Sequence, residues 1–364
     1  MRFWTALLII VSCARAQPRA RDLGIPFDGT PGPLNAITDI KGLEVGHSTI
    51  IRGDNVRTGV TAVLPRGRAS SDPVFAGWFA LNGNGEMTGT TWIEESGFLE
   101  GPVMITNTHS VGVVRDAVLE YQVKHAQAGM QAWGLPVVAE TWDGYLNEIN
   151  GFHVKPQHTF DALDAARPGK VAEGSVGGGT GMVCHEFKGG IGTASRVFST
   201  TPYTVGVLVQ CNYGLRKQLR IAGVPVGLEV TEGRIRKDEQ GSIIIVIATD
   251  APLLPHQLKR LARRAGMGLA RNGSTSGNGS GDIFVAFSTA NAEAAKSSPG
   301  SRSLQMVPNE AMNPLFTATI EAVEEAVVNA LVAGRTMTGF QNHTVIGMPQ
   351  DRVVEVLRKY NRSK

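Results

Sequence analysis

The chain has 364 residues, of which 42% are hydrophobic and 44 are glycine, and it carries a formal net charge of +3. That length suits one large α/β domain or two modest ones. The glycines cluster without a period, which excludes collagen-like and low-complexity chains, and the basic residues are scattered, so nucleic acid is not an expected partner.

In chain order, residues 1–16 read as an export signal. Arg2 supplies the positive end, Trp4 to Val11 form an apolar run too short to span a bilayer, and Ala14-Arg15-Ala16 offers a small-residue cleavage site before Gln17. Ile10-Val11-Ser12-Cys13 leaves open the alternative of a lipoprotein processed at Cys13. Nothing later reads as a transmembrane helix, so the mature protein is expected to be periplasmic or secreted. It would keep two cysteines, Cys184 and Cys211, whose pairing stays open.

Residues 17–40 are rich in Pro, Gly and Arg and read as an extended arm. Val60 to Leu64 and Val103 to Thr106 are short apolar runs, as strands are. Between them, Leu81 to Gly89 is turn-rich; its one carboxylate, Glu86, also suits a cleft wall. A helix is expected after Asn107, capped by Thr108 or Ser110, with Val111, Val114, Val118 and Tyr121 on one face. Leu135 to Ala139 is strand-like and runs into Glu140-Thr141-Trp142-Asp143-Gly144-Tyr145-Leu146-Asn147. An acid, an indole and a phenol past a strand end suit a pocket; the alternative is an aromatic staple under a loop.

Phe160 to Ala166 reads as a short helix. Gly174 to Gly181 lacks the Gly-Lys-Ser/Thr of a phosphate loop and reads as a turn, and Gly189 to Arg196 continues as loop. Tyr203 to Gln210 is a strand that delivers Asn212, whose amide N–H could face an oxyanion or simply close a turn. Then a charged stretch, Arg234 to Gln240, meets Gly241-Ser242 and the run Ile243 to Ala248, which reads as a strand buried on both faces. Leu258, Leu261, Ala262, Ala265 and Leu269 mark a helix, Asn272 to Gly281 a loop, and Asp282 to Ser288 a strand with Ser280 and Asp282 at its entrance. Ile320, Val323, Val327, Ala330 and Leu331 mark another helix, and Asp351 to Tyr360 closes the chain.

The Gly-Ser junction suggests chemistry. A glycine carbonyl is open to attack, and the next residue carries a hydroxyl. Attack by Ser242 Oγ on Gly241 followed by hydrolysis would free Ser242 as a chain end. A free α-amine has a pKa of roughly 7.7–8.0 and can serve as base for its own hydroxyl. A plain loop-to-strand junction is the alternative.

Five segments taken together resemble the L-aminopeptidase/D-amidase family of DmpA type, which includes the β-peptidyl aminopeptidases. They are Gly241 to Leu253, Asn82 to Gly89, Ala139 to Asn147, Cys211 to Gly214 and Asn278 to Asp282. The resemblance implies an α/β fold, a four-layer αββα sandwich like that of N-terminal-nucleophile hydrolases but with different connectivity. It implies self-cleavage into an α chain, 17–241, and a β chain, 242–364, of one catalytic domain, assembled as a homo-oligomer. Carried over, Ser242 is the nucleophile and Asn212 donates to the oxyanion. Tyr145 lies against both, and Ser280 and Asp282 form a relay around Ser242; some members carry Glu where Asp282 stands.

Glu140 is the candidate for holding a substrate ammonium group, with Trp142 and Glu86 as further substrate-binding residues. No metal or other cofactor is implied, and none of the histidines falls in an H-E-x-x-H pattern. The expected function is an exported serine aminopeptidase acting on short peptides, amides or esters with a free amino end. The alternatives are an acyltransferase of the ornithine acetyltransferase type, which uses Thr as its new N-terminus, and a non-catalytic binding protein of the same fold.

Overall fold

Side-chain alternation along Ser242–Thr249 sets the layering. Ile243, Ile245 and Ile247 pack toward helices, while Ile244, Val246 and Ala248 pack toward a second sheet. One strand therefore serves two cores, which is why Ile243 to Ala248 are apolar at every position rather than at every second one. Each β-branched side chain buried there contributes roughly 1.5–3 kcal/mol.

The computed structural model describes residues 18–363 apart from 71, 127–130, 199–200, 237, 239–240 and 297–298. The export signal, Cys13 and Gln17 lie outside the described residues. The main strands, in chain order, are β1 (Glu44–Arg52), β2 (Val56–Leu64), β3 (Val74–Ala80), β4 (Phe98–Leu99), β5 (Val103–Asn107), β6 (Val137–Thr141), β7 (Gly190–Val197), β8 (Thr204–Asn212), β9 (Ser242–Thr249) and β10 (Asp282–Ser288). The longer helices are α1 (Val111–His125), α2 (Pro156–Asp164), α3 (Pro255–Arg271), α4 (Asn313–Ala333) and α5 (Gln350–Lys359).

One sheet has six strands in the order β4-β3-β10-β9-β8-β7, the other four in the order β1-β2-β5-β6. The sheets pack face to face through Val63, Ile105, Ala139, Leu208, Ile244, Val246 and Val285. Leu258, Leu261 and Leu269 of α3 and Val323 and Val327 of α4 cover the outer face of the six-stranded sheet. Val114 and Val118 of α1 and Ala162 of α2 cover the outer face of the other. The result is the expected αββα sandwich.

Ser110 occupies the cap position of α1 but makes no side-chain cap bond. Residues of the arm are bound to the body: Arg21 pairs with buried Glu325 of α4 at 2.8 Å and Arg19 with Glu173 at 2.7 Å. Cys184 and Cys211 are joined by a disulfide.

One expectation is corrected. Gly189 to Arg196, read as loop, lies mostly in β7, which pairs antiparallel with β8 over its whole length. The glycines that suggested a loop answer a packing demand. A Cβ on Gly192 would stand 2.0 Å from the Ala326 carbonyl oxygen of α4, so the helix sits directly on the strand backbone.

Candidate active site

Register brings the polar residues to one end of the six-stranded sheet. In the antiparallel β8–β9 pair Ser242 lies directly opposite Asn212, so their side chains leave the same face, the one turned toward the second sheet. In the parallel β9–β10 pair Ile243 is opposite Asp282. Ser242 is thus flanked by Asn212 on one side and by the start of β10 on the other.

Gly241 has a left-handed φ of +127°, and a Cβ there would stand 1.9 Å from the Asn212 carbonyl oxygen. Only glycine lets the chain turn into β9 at this point. The Ser242 hydroxyl accepts a hydrogen bond from Gly281 N–H at 3.0 Å. Ser280 Oγ donates to Asp282 Oδ1 at 2.6 Å, and the same oxygen accepts Ile243 N–H at 3.2 Å. The Asp282 side chain therefore reaches both the residue after the serine and the hydroxyl of Ser280.

The Asn212 amide is held at both ends. Its Oδ1 accepts Val183 N–H at 2.7 Å, and its Nδ2 donates to the Trp142 carbonyl at 2.8 Å. That second bond ties the six-stranded sheet to the end of β6 in the other.

A cavity of about 370 Å³ opens at this junction, lined by Asn84, Gly85, Glu86, Thr108, Glu140, Trp142, Gly241, Ser242 and Gly279. Glu140 is its buried acid, 3% exposed. One carboxylate oxygen accepts Glu86 N–H at 3.0 Å and the other accepts the Thr108 hydroxyl. Burial raises its pKa above the usual carboxylate value, as does the nearby Glu86 charge, against the opposing pull of those two donors. A carboxylate has about four lone-pair sites, so two remain for a ligand. Behind it, fully buried Asp143 is pushed up to about 6 by desolvation, although Asn107 and Asn147 donate to it at 3.1 and 3.0 Å.

Residues 35–345 match peptidase family S58. The chain belongs to that family. It is 52% identical to a β-peptidyl aminopeptidase, BapA, of Sphingosinicella microcystinivorans, over 98% of this chain and 96% of the relative. Among solved structures, the L-aminopeptidase D-Ala-esterase/amidase of Ochrobactrum anthropi superposes with a TM-score of 0.90 at 49% identity, covering 95% of this chain and all of that one. It is described as a prototype of the serine aminopeptidases and a variant of the Ntn-hydrolase fold. A Burkholderia β-aminopeptidase gives a TM-score of 0.88 at 50% identity, over 94% of this chain and 99% of that one. An S58 hydrolase on an Ntn-type sandwich is therefore what this sequence encodes.

Within the S58 chain, Ser242, Glu140, Trp142 and Glu86 share the cavity wall, with Gly241 beside them. Asn212, Ser280 and Asp282 stand behind that wall, connected through the bonds described above. Tyr145 is not among the lining residues; its ring stacks on His343 with centroids 4.4 Å apart, and its carbonyl accepts His343 Nδ1–H at 2.9 Å. Sequence reasoning missed two contributors. Thr108 reads as a helix cap but donates to Glu140 instead. The Gly281 N–H is a backbone group whose aim no sequence pattern announces. Among the described residues no cluster of three or more His, Cys, Asp or Glu could hold a metal ion, and no helix is long and apolar enough to cross a membrane.

Proposed function

We propose that this S58 aminopeptidase cleaves itself between Gly241 and Ser242 and then uses Ser242 as an N-terminal nucleophile. The observation that carries the reading is the Ser242 hydroxyl at the head of the central strand, bonded to Gly281 N–H, in the same cavity as the buried carboxylate of Glu140.

In the first step Ser242 Oγ attacks the Gly241 carbonyl carbon. The C–N bond breaks, the nitrogen becomes the Ser242 amine, and the acyl group rests on Oγ as an ester. Water hydrolyses that ester, leaving a carboxylate on Gly241. The freed amine, with a pKa of roughly 7.7–8.0, takes the Oγ proton when the serine attacks a substrate carbonyl and returns it to the leaving amine. Water then releases the aminoacyl group from Oγ.

The remaining N–H of Asn212 Nδ2 and the N–H of Gly281 are the donors we assign to the oxyanion, a role worth about 2.7–4 kcal/mol per donor in other hydrolases. The Ser280–Asp282 pair keeps the strand entrance and its charge in place. Glu140 receives the substrate ammonium, with Glu86 at the rim and Trp142 as an apolar wall. The substrates are short peptides, amides or esters with a free amino end. One relative is named for β-peptides and another for L-aminopeptidase and D-Ala esterase/amidase activity, so a panel spanning those classes defines the preference. The same reading makes residues 1–16 an export signal and the mature enzyme an oligomer of αβ units.

On a denaturing gel the purified protein is expected as two chains, the smaller beginning Ser-Ile-Ile-Ile. Ser242→Ala is expected to stay single and to release no arylamine from aminoacyl arylamides. An active single chain, or an active Ser242→Ala protein, overturns the mechanism.

A further inference from the structure

The segment leading to the Gly241-Ser242 bond is gripped by a buried clamp that takes no part in the chemistry above. Glu186 is 2% exposed. Its Oε2 accepts two successive backbone N–H groups, Ile235 at 2.6 Å and Arg236 at 3.0 Å, and its Oε1 accepts Arg216 N–H at 2.7 Å. Arg216, also fully buried, holds the same segment from the acceptor side: its Nη1 donates to the carbonyls of Glu232 at 2.6 Å and Val230 at 3.2 Å. Its guanidinium lies over the Phe187 ring, 3.1 Å from the centroid, and its Nε and Nη2 donate to the carbonyls of His185 and Glu186.

The turn that carries Glu186 is strained. His185 and Glu186 are the two loop residues of a small hairpin between Val183–Cys184 and Phe187–Lys188, and both have positive φ, 46° and 60°. Turns with this backbone normally take Asn or Gly. Non-glycine residues persist in such a conformation where the surroundings over-determine it, as at functional sites.

We infer that Glu186 is a positioning residue for self-cleavage, holding residues 235–236 so that the Gly241 carbonyl is presented to Ser242 Oγ. The inference rests on the self-cleavage reading above. From Arg236 to Gly241 the chain can extend about 18 Å at most, so fixing Arg236 keeps Gly241 within that distance of the clamp before any reaction. Confining the reacting carbonyl beside its nucleophile is the entropic part of intramolecular catalysis. Once the bond is cut, the nucleophile, its amine and the oxyanion donors lie on other segments, and turnover no longer depends on where residues 235–236 sit. Glu186 therefore belongs to maturation and not to the substrate reaction.

The test follows processing and turnover separately in the full chain. Wild type, Glu186→Gln and Glu186→Asp are purified early, and conversion to two chains is timed on denaturing gels. The kcat and KM for an aminoacyl arylamide are then measured per cleaved molecule. Glu186→Gln is expected to lengthen the processing half-time at least tenfold while kcat/KM per cleaved molecule stays within threefold of wild type. Glu186→Asp keeps the charge with shorter reach, and it carries the test if the Gln variant does not fold. Thermal melts of Glu186→Gln and Glu186→Asp in a Ser242→Ala background, against Ser242→Ala alone, report folding without cleavage. Unchanged processing in both variants overturns the inference and leaves self-cleavage standing. So does a loss of kcat/KM that matches the loss in processing rate, which marks a general structural role. A wild type that never cleaves sinks the self-cleavage reading and this inference with it.

Discussion

Replacing Glu140 by Gln isolates the charge assigned to the substrate ammonium. The substitution keeps size and shape. One amide oxygen can still accept Glu86 N–H, and the Thr108 hydroxyl, now donating to Glu140, can rotate to accept from the new NH₂. What disappears is one negative charge, 3% exposed, on the cavity wall. Two unit charges 4 Å apart at an effective dielectric of about 20 attract by about 4 kcal/mol. Removing one member of a close hydrogen-bonded pair typically costs 2–5 kcal/mol. We therefore expect kcat/KM for an aminoacyl arylamide to fall about 30- to 1,000-fold.

The control is an acyl arylamide lacking the amino group, which has no charge to present. The wild type should cleave it poorly, and Glu140→Gln should cleave it no worse. Burial raises the Glu140 pKa, so wild-type kcat/KM for the amine substrate should also fall as pH drops through that raised value, a limb the Gln variant lacks. A raised carboxylate pKa means that the folded state holds the proton more tightly than the unfolded chain. Its stabilising effect is complete below the ordinary value of 4.5 and is lost as pH rises through the folded one, so Glu140→Gln should melt no lower than wild type at neutral pH. An equal loss on both substrates, or no loss on either, refutes the assignment.

Asp143 gives a second signature in stability. Its pKa rises from 3.8 to about 6, so its contribution is complete below pH 3.8 and lost through about pH 6. Against Asp143→Asn, wild-type stability measured by urea denaturation should decline by roughly 2 kcal/mol between pH 4 and 7, and a flat difference would exclude the buried carboxylate as its source. Ser280→Ala removes a hydroxyl that donates to a buried carboxylate at 2.6 Å, a bond worth about 1.5–3 kcal/mol. Steady-state kinetics should show kcat lowered about 10- to 100-fold with KM little changed; a pure KM effect would place Ser280 in substrate binding instead. Gly241→Ala would drive a Cβ onto the Asn212 carbonyl oxygen and force a left-handed φ on alanine. The precursor should accumulate uncut on a gel, and normal cleavage would show that the turn into β9 can relax.

Much of the candidate site was legible because its parts follow local rules. Ser242 stands out as a hydroxyl after a glycine at the head of an apolar run, while Glu140 lies among the last residues of β6 and Trp142 just past its end. The helices were readable from their 3–4 spacing, and Leu258, Leu261, Ala262, Ala265 and Leu269 are all buried. The strand Gly190–Val197 was not readable, because Gly192 makes room for a helix about 130 positions downstream and Gly190 for the backbone of Gly174, and both look the same as loop glycines in one dimension. Tyr145 shows the converse. Its position after a strand suggested the cavity, yet its ring packs on His343, nearly two hundred residues away.

The sequence by itself determined which segments must be buried and where the chain could open, since hydrophobic period and glycine chemistry are properties of neighbouring residues. Only the tertiary structure decided which polar groups meet. Asn212 faces Ser242 through the register of two strands, Glu140 is held by Thr108 and Glu86 from separate loops, and Glu186 reaches Ile235 and Arg236 from a turn some fifty residues earlier. Register and packing are settled by the summed contacts of the whole core, and no window of sequence contains that sum.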